Sequence, residues 1–210
     1  MAASGATTTA VVIGISGCTR SGKSWLSGTI AKQRAAAGLD CSAIHQDDFW
    51  EREVVVIDAH GKERKSEEEP ECTNFAALAA TLRAAIVPCG DVSAASPSPA
   101  SHMIIVEGFN VLHDPAIVAL LDVIVILDLD YDEAKRRRTA PRSGLNPNPL
   151  SLEVFDAVVW PQHVRYVAAS VGTLGRRAQH YAAPSHETDV NRIAVEVLEL
   201  ASMVTPKHKV

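Results

Sequence analysis

The sequence predicts an α/β fold, a parallel sheet flanked by helices with a mobile lid. Three observations predict it. The apolar run Val11-Val12-Ile13-Gly14-Ile15 leads straight into a glycine-bearing loop and then a helix-compatible stretch, Trp25 to Ala37. Further short apolar runs alternate with helical stretches, the pattern of parallel strands joined by right-handed crossovers. Acidic residues stand directly after two of those runs, where open parallel sheets place their ligands.

The elements follow in order. Residues 10–16 read as a buried, mostly β-branched strand. Helix 23–37 comes next, and Gly38 stops it. Cys41 to Gln46 is a second short strand, ending in Asp47-Asp48. Residues 49–72 form a long connection with a charge run from Lys62 to Glu71, read as a solvated loop. Connections of this length in a compact domain tend to carry function. Thr73 or Asn74 caps a helix to about Val87. Residues 88–101, rich in Pro, Ser and Ala, read as a surface loop. Met103 to Val106 is a third strand, ending in Glu107-Gly108, and Val123 to Leu127 a fourth. Asp130 caps a helix carrying Lys135-Arg136-Arg137-Arg138. Residues 139–150 hold three prolines and a glycine, which excludes regular helix. Helices from about Leu152 to Ser170 and about Thr188 to Met203 close the chain. No clear fifth strand is visible; Ala178 to Ala182 is the weak candidate. The expected organisation is a flexible stretch 1–9, one domain over 10–203 with its lid at about 138–152, and a tail 204–210.

Composition narrows the function. The 210 residues suffice for one α/β domain with a sizeable core. Hydrophobic residues make up 47% and charged residues 21%, a globular balance. A net charge of −5 argues against a general nucleic-acid binder. The cysteines at 18, 41, 72 and 89 form no C-x-x-C pair, which fits reduced thiols in a cytoplasmic protein. The eight histidines form no metal motif. The first nine residues lack the segments of a signal peptide, and no apolar run approaches the ~20 residues of a membrane span.

The chemistry starts at Gly17-Cys18-Thr19-Arg20-Ser21-Gly22-Lys23-Ser24, which reads G-x-x-x-x-G-K-S. Its glycines let successive N–H groups converge on a phosphate. In this motif Lys23 reaches the β- and γ-phosphates of a nucleotide, and the Ser24 hydroxyl can ligate Mg²⁺. Asp47, at a strand end, can hold Mg²⁺ or orient an acceptor hydroxyl; taken alone it also fits a turn cap. Glu107 sits at the mouth of the crevice, or equally ends its strand in a turn. Arg136, Arg137, Arg138 and Arg142 can bring guanidinium groups over the phosphates, although some of these charges must point to solvent on a helix. The N-K-x-D of a guanine site is absent, and the D-x-x-G at Asp58 to Gly61 follows no good strand.

Together these pieces resemble the nicotinamide riboside kinases, uridine kinase-like members of the P-loop nucleoside kinases. The resemblance rests on Gly14-Ile15-Ser16-Gly17 running into the phosphate loop, Gln46-Asp47-Asp48-Phe49 and Ile105-Val106-Glu107-Gly108-Phe109. It continues through Lys135-Arg136-Arg137-Arg138 and through Phe155-Asp156 before Trp160-Pro161, spanning 10 to about 165. It implies a P-loop kinase fold and ATP-dependent phosphorylation of the 5′-hydroxyl of nicotinamide riboside, giving nicotinamide mononucleotide for NAD biosynthesis. It implies that Asp47 is proton acceptor and Mg²⁺-associated carboxylate, and that Asp47, Asp48, Phe49 and Trp50 face the acceptor. By the same resemblance Glu107 is an acid near the acceptor, and Arg137 and Arg138 are lid arginines touching ATP and acceptor. Ser185, His186 and Glu187 fall where the family closes over adenine.

The sequence departs from the family at its aromatic clamp. Glu67 stands at the first aromatic position, and Glu68 replaces the following ribose-binding aspartate. The second aromatic position falls within Ser143-Gly144-Leu145. Glu68 remains able to hold ribose hydroxyls, and carboxylates favour a cationic pyridinium ring over uracil. The alternatives are a uridine/cytidine kinase-like enzyme and a catalytically silent nucleotide-binding protein. The intact loop, Asp47 and Glu107 argue against the silent one, because a pure binder needs no acceptor-side acids.

Overall fold

A computed structural model describes residues 10–87, 102–140 and 151–206. Five strands form one parallel sheet: β1 (Ala10–Gly17), β2 (Asp40–His45), β5 (His102–Glu107), β6 (Val123–Asp128) and β7 (Ala178–Ala182). Their spatial order is β2-β5-β1-β6-β7. β1 is therefore central, and all eight of its residues are buried.

The period-two alternation of the strands sorts the core into two layers. Val12, Ile104, Val106, Ile124 and Ile126 face one side, where they meet Leu78 and Leu82 of α2 (Phe75–Ile86) and Ile117 of α3 (Pro115–Leu120). Val11, Ile13, Ile15, Ile105 and Val125 face the other. There they meet Leu26 and Ile30 of α1 (Lys23–Ala36) and Val190, Ile193 and Val197 of α7 (Glu187–Met203). Leu26, Ile30 and Arg34 recur every four residues, which is why one stripe of α1 lies on the sheet. Gly38, at φ 71°, turns the chain after α1 as predicted. The Asn74 side chain caps α2 by accepting from the Ala77 amide at 2.9 Å. Asp130 caps α4 (Tyr131–Thr139) in the same way, from Glu133.

Three segments differ from the expectation. The connection 49–72 is not all loop: Val54–Ile57 (β3) pairs antiparallel with Glu63–Ser66 (β4). The Asp58 to Gly61 stretch is the turn of this hairpin. Asp58 accepts from the Lys62 and His60 amides and from Arg64, and these bonds hold its carboxyl down to about 2. The four β-branched residues 54–57 were the strand signal; the charges beyond them masked it. Ala178–Ala182 is a true fifth strand, paired with β6 at the sheet edge. Its pattern is faint because only Ala178 of the five is fully buried. The helix expected over 152–170 comprises α5 (Leu152–Val154), a π turn (Phe155–Val159) and α6 (Trp160–Ala169). Pro161 has no amide to donate, and the wider turn lies just before it. The short α3 has its own start signal, Asp114 before Pro115, with the Asp114 side chain accepting from Ala116 and Ile117.

The expected lid, the 88–101 loop, residues 1–9 and the end of the tail fall wholly or largely outside the described residues. No described helix is long and apolar enough to cross a membrane. Cys18, Cys41 and Cys72 are free thiols.

Candidate active site

Sheet register sets the site. Glu107, the last residue of β5, pairs with Ile15 of β1 on one side and with His45 of β2 on the other. The phosphate loop, Asp47 and Glu107 therefore leave the sheet at the same edge. Here a cavity of about 980 Å³ opens.

The loop is built around backbone that few residues can adopt. A Cβ on Gly17, at φ 151°, would stand 2.5 Å from the Leu127 carbonyl oxygen, so no side chain fits. Gly22 takes φ 97° directly before α1, and Arg20 takes φ 64° without being glycine. Lys23 Nζ folds back to donate to the Cys18 carbonyl at 2.9 Å. Ser24 Oγ donates to Glu107 Oε1 at 2.8 Å.

Thr19, Arg20, Gly22, Lys23 and Ser24 form the phosphate-loop wall of the cavity. Asp47, Trp50, Glu68 and Glu107 line the same cavity, Glu107 in contact with the loop through Ser24. Arg137 and Arg138 of α4 and Ser185 of the segment after β7 complete it. Gly17, Cys18 and Ser21 lie beneath the loop, buried. Burial pushes the Cys18 thiol up to about 11, so it is no nucleophile at neutral pH. Asp48 is exposed and off the wall, while Phe49 packs against the core. His186 and Glu187 stand at the start of α7 and do not line the cavity. Arg142 lies outside the described residues.

The arginines are positioned, not loose. Arg137 Nε bonds Glu133 at 2.6 Å, and its NH1 reaches the Pro184 carbonyl at 3.2 Å. That bond ties α4 to the segment that carries Ser185. Arg136 also bonds Glu133, at 2.5 and 2.6 Å. The two arginines hold the Glu133 carboxyl down to about 2.

The cavity lining at Glu68 rests on a buried amide network. Gln46 donates to Thr73 Oγ1 at 2.9 Å, and its carbonyl oxygen accepts from the Asn110 amide at 2.9 Å. Asn110 in turn donates to the Glu68 carbonyl at 2.8 Å. Gly108 is required here, because a Cβ would come within 2.2 Å of Gln46 Oε1. Burial pushes the Glu68 carboxyl up to about 7, against the pull of Arg138 and Lys23.

Sequence reasoning missed several wall residues: Trp25, Phe109, Glu133 and Pro184. The spacing of Glu133 to Arg137, i to i+4 on a helix, was a legible signal. Pro184 gave none. Phe109 followed the Glu-Gly pair and was readable only as part of the resemblance.

The wall offers oxygen donors, the Ser24 hydroxyl and the Asp47 and Glu107 carboxylates. Such a set suits Mg²⁺, which takes one or two protein oxygens and completes its shell with water and phosphate. Among the described residues no group of three or more His, Cys, Asp or Glu stands together as a metal site.

Comparison with known proteins gives the class and then the family. No protein-family model matches the chain. The chain is 30% identical over 162 residues to human nicotinamide riboside kinase 1, covering 74% of this chain and 75% of that protein. It is 29% identical over 163 residues to mouse nicotinamide riboside kinase 2, covering 74% of this chain and 79% of the relative. The fold is similar to the solved structure titled as that of a possible uridine kinase from Bacillus stearothermophilus. That match has TM-score 0.53 and 18% identity, and covers 85% of this chain and 91% of that one. The protein is a P-loop kinase, a phosphotransferase with an alcohol acceptor. It belongs to the nicotinamide riboside kinase family.

Proposed function

We propose that this protein transfers the γ-phosphoryl group of ATP to the 5′-hydroxyl of nicotinamide riboside, forming nicotinamide mononucleotide for NAD biosynthesis. One observation carries the reading: the phosphate loop and the acidic residues Asp47, Glu68 and Glu107 line one cavity. A donor nucleotide and a polyhydroxyl acceptor can meet there, as in-line transfer requires. Family membership supports the nucleoside as acceptor.

The roles follow from position. Loop amides of residues 17–24 cradle the phosphates, and Lys23 turns from the Cys18 carbonyl to the transferred group. Asp47 accepts the proton of the acceptor hydroxyl. Glu68 holds ribose hydroxyls, with Arg138 beside it. Arg137 neutralises charge on the phosphoryl group. Ser24 and Asp47 would hold Mg²⁺, which would supply positive charge against the phosphates. Residues 10–203 act as one domain, with Arg142 in its lid, and the free thiols at 18, 41 and 72 suit the cytoplasm.

A coupled ADP-release assay over nicotinamide riboside, uridine, cytidine and adenosine tests the reading. Turnover with highest kcat/KM on nicotinamide riboside is expected. Preference for uridine or cytidine overturns the acceptor; no turnover with any nucleoside overturns the activity.

A further inference from the structure

His45 is not on the cavity wall, yet it reaches the wall through one carboxylate. It is the register partner of Glu107, and its Nδ1 lies 2.7 Å from Glu107 Oε1. The same Oε1 accepts the Ser24 hydroxyl at 2.8 Å. The Glu107 side chain is only 6% exposed, whereas that of His45 is 44% exposed.

We propose that His45 is a positioning residue for the Ser24 hydroxyl, acting through Glu107. A hydroxyl has one proton and two acceptor lone pairs. With its proton given to Glu107, Ser24 keeps its lone pairs for a cation on the cavity side. That arrangement lasts only while the carboxylate keeps its rotamer. A carboxylate has no proton to give, so Nδ1 donates to it, and a ring that does not itself line the cavity holds Oε1 in place. Sheet pairing fixes the two backbones, so the bond forms without ordering a loop. Partners bonded directly to a metal ligand change metal affinity or activity by roughly 10–100-fold when removed, and His45, one bond further out, belongs at the low end of that range.

This inference rests on the proposed reading of Ser24 as a Mg²⁺ ligand, but its test needs no acceptor. Binding of ATP is measured by calorimetry with Mg²⁺ and, separately, with EDTA. The proteins compared are wild type, His45→Ala and His45→Asn, whose amide can replace Nδ1–H as donor. His45→Ala is expected to weaken Mg²⁺·ATP binding about 10-fold while leaving metal-free ATP binding unchanged. His45→Asn is expected to stay within about threefold of wild type on both, because the donor is restored. Three results overturn the proposal: unchanged Mg²⁺·ATP affinity in His45→Ala, equal loss with and without metal, or an Asn variant as weak as the Ala variant. If all nucleosides fail in the ADP-release assay while the calorimetric pattern holds, the acceptor reading falls and the role of His45 stands.

Discussion

Arg138, on the cavity lining, stands 3.9 Å from the Glu68 carboxylate. Both side chains are largely enclosed, at 20% and 14% exposure. The separation is too long for a direct hydrogen bond, so the guanidinium eases the burial of Glu68 only in part. The Glu68 carboxyl consequently sits near 7, with burial as the largest cause. A carboxyl at that position changes charge in the range where the enzyme is proposed to work.

The first prediction is a pH dependence. Charge-assisted bonds to ribose hydroxyls need ionised Glu68. The KM for the nucleoside is expected to rise as pH falls from 8 to about 6, through the Glu68 value of about 7. The KM for ATP should not follow it. Stability runs the opposite way. The folded value is raised above the ordinary 4.5, so the folded state binds more protons between 4.5 and about 7 and stability falls as pH rises through that window. Glu68→Gln should therefore raise Tm at pH 8 more than at pH 5. An equal Tm shift at both values would remove the burial argument.

Lys23→Ala should abolish phosphoryl transfer. Its ammonium can leave the Cys18 carbonyl, 2.9 Å away, for the developing charge on the γ-phosphoryl group. Removing one such preorganised donor costs about 10²–10³-fold in kcat. Single-turnover kinetics measure it, and near-wild-type turnover would make the loop structural.

Asp47→Asn should remove most activity while ATP still binds. General-base contributions are on the order of 10²–10⁴-fold. Asp47 is exposed on the cavity wall, so the amide replacement fits without repacking. Titration of the mutant with ATP, beside its kcat, separates the two effects. Normal turnover would shift the base role to Glu107 or show that none is needed.

The reach of the sequence can be traced residue by residue. The central strands were legible because both faces are covered, so β1, β5 and β6 read as unbroken apolar runs. β7 was faint because an edge strand buries few side chains. The β3–β4 hairpin was hidden by the charges of β4, of which Glu63 and Lys65 face solvent and Arg64 is half-buried. In the site, Lys23, Ser24, Asp47 and Glu107 could be placed because each belongs to the G-x-x-x-x-G-K-S loop or stands at the end of an apolar strand run. His45 and Pro184 could not. Their positions depend on strand register and on the contact of Arg137 with the Pro184 carbonyl, and one sequence encodes neither locally.

The α4 arginines separate anchoring from catalysis. Arg137 is already held by Glu133 and by the Pro184 carbonyl. Ordering it at the phosphates thus costs little side-chain entropy. Arg137→Ala and Arg138→Ala are each expected to lower kcat more than they weaken ground-state ATP binding, since charge on the transferred group is largest in the transition state. A loss of ATP affinity with unchanged kcat would make them nucleotide anchors only.

The last prediction concerns the base of the acceptor. Glu67, on the cavity wall, stands where the resemblance places a stacking aromatic, and the second such position lies outside the described residues. Trp50, 54% exposed, lines the cavity with Glu68 and Asp47, as do Trp25 and Phe109. Aromatic pairs add roughly 0.5–1.5 kcal/mol beyond burial. Trp50→Ala should therefore raise the nucleoside KM by about three- to tenfold if the indole supplies that face. Ribose bonds to Glu68 are expected to be the stronger anchor, as charge-assisted bonds are about twice as strong as neutral ones. The expected enzyme has a high KM, tolerates changes of base, and discriminates strongly against a 2′-deoxyribose. Side-by-side kinetics on nicotinamide riboside, uridine and a 2′-deoxy nucleoside test all three. Equal use of the 2′-deoxy compound would take Glu68 out of the ribose site. Tight, exclusive use of nicotinamide riboside that collapses in Trp50→Ala would instead make the indole the main determinant, with Glu67 supplying the countercharge to the pyridinium ring.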